Sequence, residues 1–311
     1  MRVFVTGASG WIGSAAVPEL IGAGHQVVGL ARSDASAAAL AAAGAEVLHG
    51  TIDDLDSLRR AAAASDGVIH LAFMHDIAFS GGFQDAADAD RHAIETFGEA
   101  LAGSDRPFVL ASGVVGLVPG REATERDGRG PASETAHVSD PVQTRQGTAQ
   151  LTLALAAQGV RSSVMRLAPT VHGAGDHGFM AALVGIAREK GVSGYIGDGT
   201  NRWPAVHRLD AAHLFRLALE QAPAGSVLHA VADEGVPIHA IAEVIGRRLE
   251  IPVIAIAPEE AGGHFGWLAP LLAIDSPVSS RLTQERFGWR PAHPGLLADL
   301  EAGSYFERPA A

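Results

Sequence analysis

The chain opens Met1-Arg2-Val3-Phe4-Val5-Thr6-Gly7-Ala8-Ser9-Gly10-Trp11-Ile12-Gly13. A short apolar run, Val3 to Val5, predicts a strand, and three glycines spaced by two residues follow it before a helical pattern begins. Gly7 permits a tight turn, Gly10 lets backbone approach a diphosphate, and Gly13 allows a helix to pack closely on the strand. The start of that helix then offers amide donors and a positive dipole end to phosphate oxygens. A glycine triplet alone is weak evidence. Placed directly after a strand and at the opening of a helix, it predicts a dinucleotide site formed by Gly7, Ser9, Gly10, Trp11, Ile12 and Gly13.

Outward from this turn, short apolar runs alternate with longer helical patterns. Val27–Leu30, Glu46–Leu48, Val68–Leu71, Phe108–Ala111 and Ser163–Leu167 read as further strands. Helices are expected between them, including Asp34–Ala43 and a stretch from about Pro141 to Gln158. Runs apolar on both faces fit a parallel sheet covered by helices on both sides. The expected fold is α/β, a Rossmann-type doubly wound parallel sheet with a smaller C-terminal substrate lobe. Residues 1–167 would form the dinucleotide-binding domain, completed by a strand near 227–230, and residues 168–311 a smaller, discontinuous lobe.

Composition narrows the function classes. The 311 residues are 47% hydrophobic and 19% charged, too apolar for a disordered chain. Absence of cysteine excludes disulfides, thiolate catalysis and cysteine-ligated metals. A net charge of −12 makes nucleic acid and anionic membrane poor partners. No apolar stretch has the length of a membrane span, and the N-terminus lacks the pattern of a signal peptide, so a cytoplasmic location is expected.

The glycine spacing, together with His70-Leu71-Ala72, Ala111-Ser112-Gly113, Arg166–Gly173 and Val206–Asp210, resembles the extended, epimerase/dehydratase-like branch of the short-chain dehydrogenase/reductase superfamily over most of the chain. The resemblance implies a nicotinamide dinucleotide, a small-molecule substrate, and a homodimer built on helices near 88–101 and 141–158. It also places Leu71, Ala72, Phe73, Pro169 and Val171 beside the cofactor. The acidic residue that binds the ribose hydroxyl in NAD-preferring members falls on Ala31, followed by Arg32 and Ser33. A guanidinium and a hydroxyl suit a 2′-phosphate, so NADP(H) is favoured over NAD(H). Asp34 could instead bind the ribose. The adenine contact falls on Thr51 and Ile52, with Asp53 and Asp54 read as caps of the next helix.

The family's catalytic tyrosine and lysine are missing. Their positions fall on Val142 and Gln146, where Gln146 could still bind a ribose hydroxyl. The chain has two tyrosines, Tyr195 and Tyr305, and one lysine, Lys190, so no realignment restores the pair. Ser112, or Gly113 if the alignment slips by one, matches the region of the family's serine. His172 is the candidate proton donor, with a hydrogen-bonded loop histidine as the plainer reading. Arg145 could return the lost positive charge; the default for it is an exposed helix arginine. Phe73, Met74, Phe79 and Trp203 are candidate substrate contacts, with Phe265 and Trp267 in the second lobe. Metal ligation by His70, His75 and Asp76, or by His172, Asp176 and His177, is rejected for want of ligand spacing. Asp210 reads as a helix cap, and residues 119–140 as a polar lid or a solvated loop. The leading function is an NADP(H)-dependent oxidoreductase acting on a small, partly apolar carbonyl, alcohol or imine. A non-catalytic dinucleotide sensor and a nucleotide-retaining isomerase are the alternatives.

Overall fold

Why the short apolar runs become strands is visible in where their side chains go. In β1 (Arg2–Thr6), Val3 and Val5 enter one buried core while Phe4 enters another, the period-2 alternation of a strand with both faces covered. The computed structural model describes residues 1–118, 120–128 and 141–307. Phe79 and Val142 have side chains outside the described set, as do the residues of the 119–140 segment other than 120–128.

Six further strands join β1 in one parallel sheet: β2 (Gln26–Ala31), β3 (Glu46–His49), β4 (Gly67–His70), β5 (Pro107–Gly113), β6 (Arg161–Leu167) and, after a long excursion, Ser226–Ala230. This last strand lies against β6 at the sheet edge, and β3 forms the opposite edge. The chain runs outward from β1 to β3, then restarts at β4 on the other side of β1. That reversal leaves a crevice beyond the carboxyl ends of β1 and β4, the place where open α/β sheets bind ligands.

Helices α1 (Gly13–Gly22), α2 (Asp34–Ala42), α3 (Leu55–Ala63), a short turn α4 (His75–Ile77), α5 (Phe83–Leu101) and α6 (Pro141–Ala154) connect these strands. Ser33 and Asp54 cap α2 and α3 by accepting from Ser36 and Ser57 amides. On the α5 side of the sheet, Phe97 meets Phe4, His70 and Phe108 with ring centroids 5.3–6.1 Å apart. No helix among the described residues is long and apolar enough to cross a membrane.

The excursion forms a second core. The glycine-punctuated stretch after Leu167, which reads as loop, contains strand β7 (Thr170–His172). It is followed by α7 (Phe179–Lys190), β8 (Ser193–Ile196), β9 (Arg202–His207) and α8 (Arg208–Gln221). With the strand Ser226–Ala230 as β10, β11 (Asp233–Pro237), α9 (Ile238–Leu249) and β12 (Val253–Ile256) complete two small sheets, β11-β9-β7 and β12-β8. Met180, Trp203, Ile241, Phe265 and Leu300 are among the buried residues of this core.

Within residues 120–128, Ala123 and Glu125 are buried and pin a segment whose Arg121, Glu122 and Arg126 stay exposed. Ala123 exchanges backbone hydrogen bonds with Pro277 and Ser279, and buried Glu125 accepts from the Thr283 amide and hydroxyl at 2.7 Å. Buried Arg166 on β6 donates to the carbonyls of Asp127 and Gly128. Its neighbour across the sheet, His229 on β10, is buried as well, and burial pushes its imidazole down to about 4. An unfolded histidine titrates near 6.5, so the unfolded chain takes up this proton first. Stability present above pH 6.5 should therefore be lost as pH falls towards 4. Urea midpoints measured across that window should decline for the wild type and decline less for His229→Gln.

Candidate functional site

The glycine-rich turn packs as a unit against its surroundings. Gly7 has φ +64°, a left-handed conformation, and a β-carbon there would lie 2.7 Å from the Ala72 nitrogen. One at Gly13 would stand 2.2 Å from the Gly7 carbonyl oxygen and 2.5 Å from that of Ala8. The first turn of α1 thus sits directly on the end of β1. Ser14 donates to the Gly10 carbonyl at 2.8 Å, so the amides of Trp11, Ile12 and Gly13 precede the helical ladder. Ser9 and Gly10 are exposed at the tip. This cradle fits a diphosphate. Trp11 joins it to the second core: its indole donates to the Val171 carbonyl at 2.7 Å, and its ring lies against Arg208 and His177.

At the β2 end, Arg32 is exposed and paired with Asp76 of α4 at 2.9 Å. Ser33 is engaged as the α2 cap, with its hydroxyl 3.1 Å from that of Ser36. Thr51 is exposed, while Ile52 is buried in the core on the α5 side.

Beyond β4 and β5 the structure shows a buried polar chain that sequence reasoning missed. Thr6 lies 2.6 Å from His70 Nδ1 and accepts from the Ala72 amide. His70 Nε2 lies 3.1 Å from Asp90, and the other Asp90 oxygen accepts from Arg145 at 2.9 Å. Burial alone would raise the Asp90 carboxyl, but the Arg145 charge and the His70 contact hold it below the ordinary carboxylate value. Arg145 also donates to the Ala111 carbonyl at 2.8 Å and lies over the Phe73 ring at 4.4 Å. It is not the exposed helix arginine of the default reading. Gln146, which the resemblance places where the family carries its lysine, turns instead to the Gly116 carbonyl at 3.3 Å.

A cleft of about 160 Å³ opens beside the ends of β5 and β6. Ser112, Gly113, Leu167, Ala168 and Pro169 form its sheet side, and Phe179, Trp203, Leu271, Ile274 and Ser276 close it from the second core. Trp203, Phe179 and exposed Trp267 form a run of rings at 5.7 and 5.9 Å. Met74 is not on this wall; it starts α4 and packs against the core below. Phe265 is buried in the second core.

His172 is a correction. Its ring is fully buried on β7, with Nδ1 2.9 Å from Asp299 and the ring set T-shaped against His207, so it does not share the cleft with Ser112. Asp210 is another. His207 caps α8 through the Leu209 amide, and Asp210 accepts from the Ala292 and His293 amides and from the His293 ring. His207, Asp210 and His293 bring ligand atoms within 4.8 Å of one another. The occupied Asp210 oxygens and the stacked histidine rings, 10° from parallel, make this a loop anchor rather than a metal cage.

A family model described as "NAD dependent epimerase/dehydratase family" matches residues 3–230, which carry the turn, the seven parallel strands and the sheet side of the cleft. The chain belongs to this family. The family depends on a nicotinamide dinucleotide. Among relatives, the Uncharacterized protein C2A9.02 of Schizosaccharomyces pombe is 50% identical, over 98% of this chain and 100% of its own. The 4-hydroxy-2-methyl-3-oxo-4-farnesyl-3,4-dihydroquinoline-1-oxide ketoreductase of Stigmatella aurantiaca is 26% identical over 86% of this chain and 80% of its own. The fold matches the UDP-glucose 4-epimerase of Thermotoga maritima with TM-score 0.76, at 19% identity and 98% coverage of both chains.

The turn's packing has a measurable consequence. Gly13→Ala should cost about 1–3 kcal/mol in a denaturant titration and abolish dinucleotide binding, because the methyl group must displace backbone. Gly22→Ala, where nothing lies within 4 Å, should be neutral or stabilising by up to about 1 kcal/mol.

Proposed function

We propose that the protein is an NADP(H)-dependent oxidoreductase acting on a small, uncharged, largely apolar carbonyl or the corresponding alcohol. The observation that carries this reading is the cleft: an apolar space meeting the ends of β5 and β6, with Ser112 and Ser276 as its hydroxyl groups and, among the described residues, no charged side chain in its lining. Such a wall would leave the phosphates of a sugar nucleotide without partners. The name of one relative supports the carbonyl chemistry, since it is a ketoreductase of a farnesylated quinoline oxide.

When bound, the reduced nicotinamide supplies hydride; the chain's own residues bind and orient. Trp11, Ile12 and Gly13 amides hold the diphosphate, and Arg32 reads the 2′-phosphate on exchanging its contact with Asp76. Ser112, buried at the cleft wall, donates a hydrogen bond to the substrate oxygen as negative charge develops there, and water entering the open cleft supplies the proton that completes the alcohol. Trp203 and Phe179 hold the apolar remainder.

Oxidation of NADPH with a panel of aldehydes, ketones and imines tests the activity directly. Ser112→Ala should lower kcat by about 100-fold, and unchanged turnover would remove that residue from the mechanism. Dinucleotide binding with no turnover across the panel would favour the sensor reading, which rests on the missing tyrosine and lysine. Arg32→Ala should weaken NADPH by about tenfold or more while leaving NADH nearly unchanged. Asp76→Asn should strengthen NADPH selectively, because it frees the guanidinium. Equal losses for both coenzymes in Arg32→Ala would overturn the NADP(H) assignment.

A further inference from the structure

The order of strands fixes which part of a dinucleotide each strand end meets. From β2 across β1 to β4 and β5, the crevice passes Arg32, then the glycine-rich turn, then the tips carrying Phe73 and Ala111, and lastly the cleft of Ser112. With the diphosphate on the turn and the adenosine towards Arg32, the nicotinamide nucleoside falls over β4 and β5. Arg145 stands at that place. It bridges the two strand tips, donating to the Ala111 carbonyl on β5 and covering Phe73 just beyond β4.

We propose that Arg145 is the cation that binds the ribose of the nicotinamide nucleoside, acting from one residue before the position where the family carries its lysine. The proposal rests on the dinucleotide-binding reading above and goes beyond it by assigning a residue to the nicotinamide ribose. Among the described residues, Asp90 and Ala111 take two of the five guanidinium N–H groups, which leaves three donors on a side chain that is 25% exposed. Gln146 is turned away to Gly116. The charge is also held in place: Asp90 is fully buried, and its second oxygen is locked through His70 to Thr6 at the end of β1. A solvated surface arginine needs no such anchor. The chain therefore connects the orientation of Arg145 to the strand that carries the glycine-rich turn.

Binding of whole and half ligands separates this role from a structural one. NADPH, ADP and 2′,5′-ADP are titrated against the wild type, Arg145→Met, Arg145→Lys and the double variant Asp90→Leu/Arg145→Met. The double variant removes both charges, so that no unpaired carboxylate remains buried to unfold the protein. Arg145→Met and the double variant should bind NADPH about tenfold or more weakly, yet bind the adenosine halves within about twofold of wild type. Arg145→Lys should recover part of the NADPH loss. Unchanged NADPH affinity accompanied by a lower melting temperature would make Arg145 a purely structural partner of Asp90 and overturn the proposal. Equal weakening of NADPH and of the adenosine halves would overturn it too, as a general disturbance. A wild type that binds none of the three probes would overturn the dinucleotide reading itself, an outcome none of the variants can mimic.

Discussion

The approach of α1 to the end of β1 is the constraint on which the rest of the molecule depends. A helix normally keeps its first turn clear of the strand that feeds it; here the Gly13 backbone lies so near the Gly7 and Ala8 carbonyls that no side chain fits between. That contact directs the amides of Trp11, Ile12 and Gly13 over the crevice left by the strand-order reversal. Gly7 transmits the same closeness sideways, since its α-carbon abuts Leu71 and Ala72 beyond β4. The glycine-rich turn and the tip beyond β4 are therefore parts of one packed unit.

Charge placement follows from that unit. A carboxylate as deeply buried as Asp90 is costly unless it is paired and hydrogen-bonded, and truncating one partner of such a pair costs about 3–5 kcal/mol. The pair is consequently poor evidence for added stability over an apolar core. Its physical effect is positional: it fixes a permanent cation at the mouth of the crevice. The family's tyrosine and lysine would supply a proton and a charge together. On the function proposed above, Arg145 would keep a cation there without the phenol, and Ser112 on the polar wall of the cleft would be the group that meets the substrate oxygen.

Local pattern made the sheet legible. Val3 to Val5, Val27 to Leu30 and Phe108 to Ala111 are continuous apolar runs, and a doubly covered parallel strand is the simplest structure that buries both faces. The glycine-rich turn was legible for the same reason, because its chemistry lies within a dozen consecutive residues. Asp90 could have been found. Ala86, Ala87, Ala93, Ile94 and Phe97 form the buried stripe of α5, and Asp90 stands on it at helical spacing, where a charge demands a partner. Which residue of α6 would supply that partner, Arg145 or Gln146, depends on helix rotation, and a shift of one position turns a side chain by about 100°. His172 failed differently: a histidine among glycines reads as loop, but it is the last residue of a short strand buried by Asp299, 127 residues further on.

The cleft was the least legible part, and its composition explains why. Leu167, Ala168 and Pro169 follow a strand and could be placed beside the sheet, but Leu271, Ile274 and Ser276 come from a segment with no periodic pattern and arrive by tertiary packing alone. Phe179 and Trp203 also belong to the second core, so the residues that give that lobe its stability also form one wall of the cleft. A large-to-small change at Trp203 would both enlarge the cleft and open a cavity in the core behind it. Specificity and stability are coupled at that wall, whereas at Ser112, a small side chain on a strand anchored along both edges, they are largely separate.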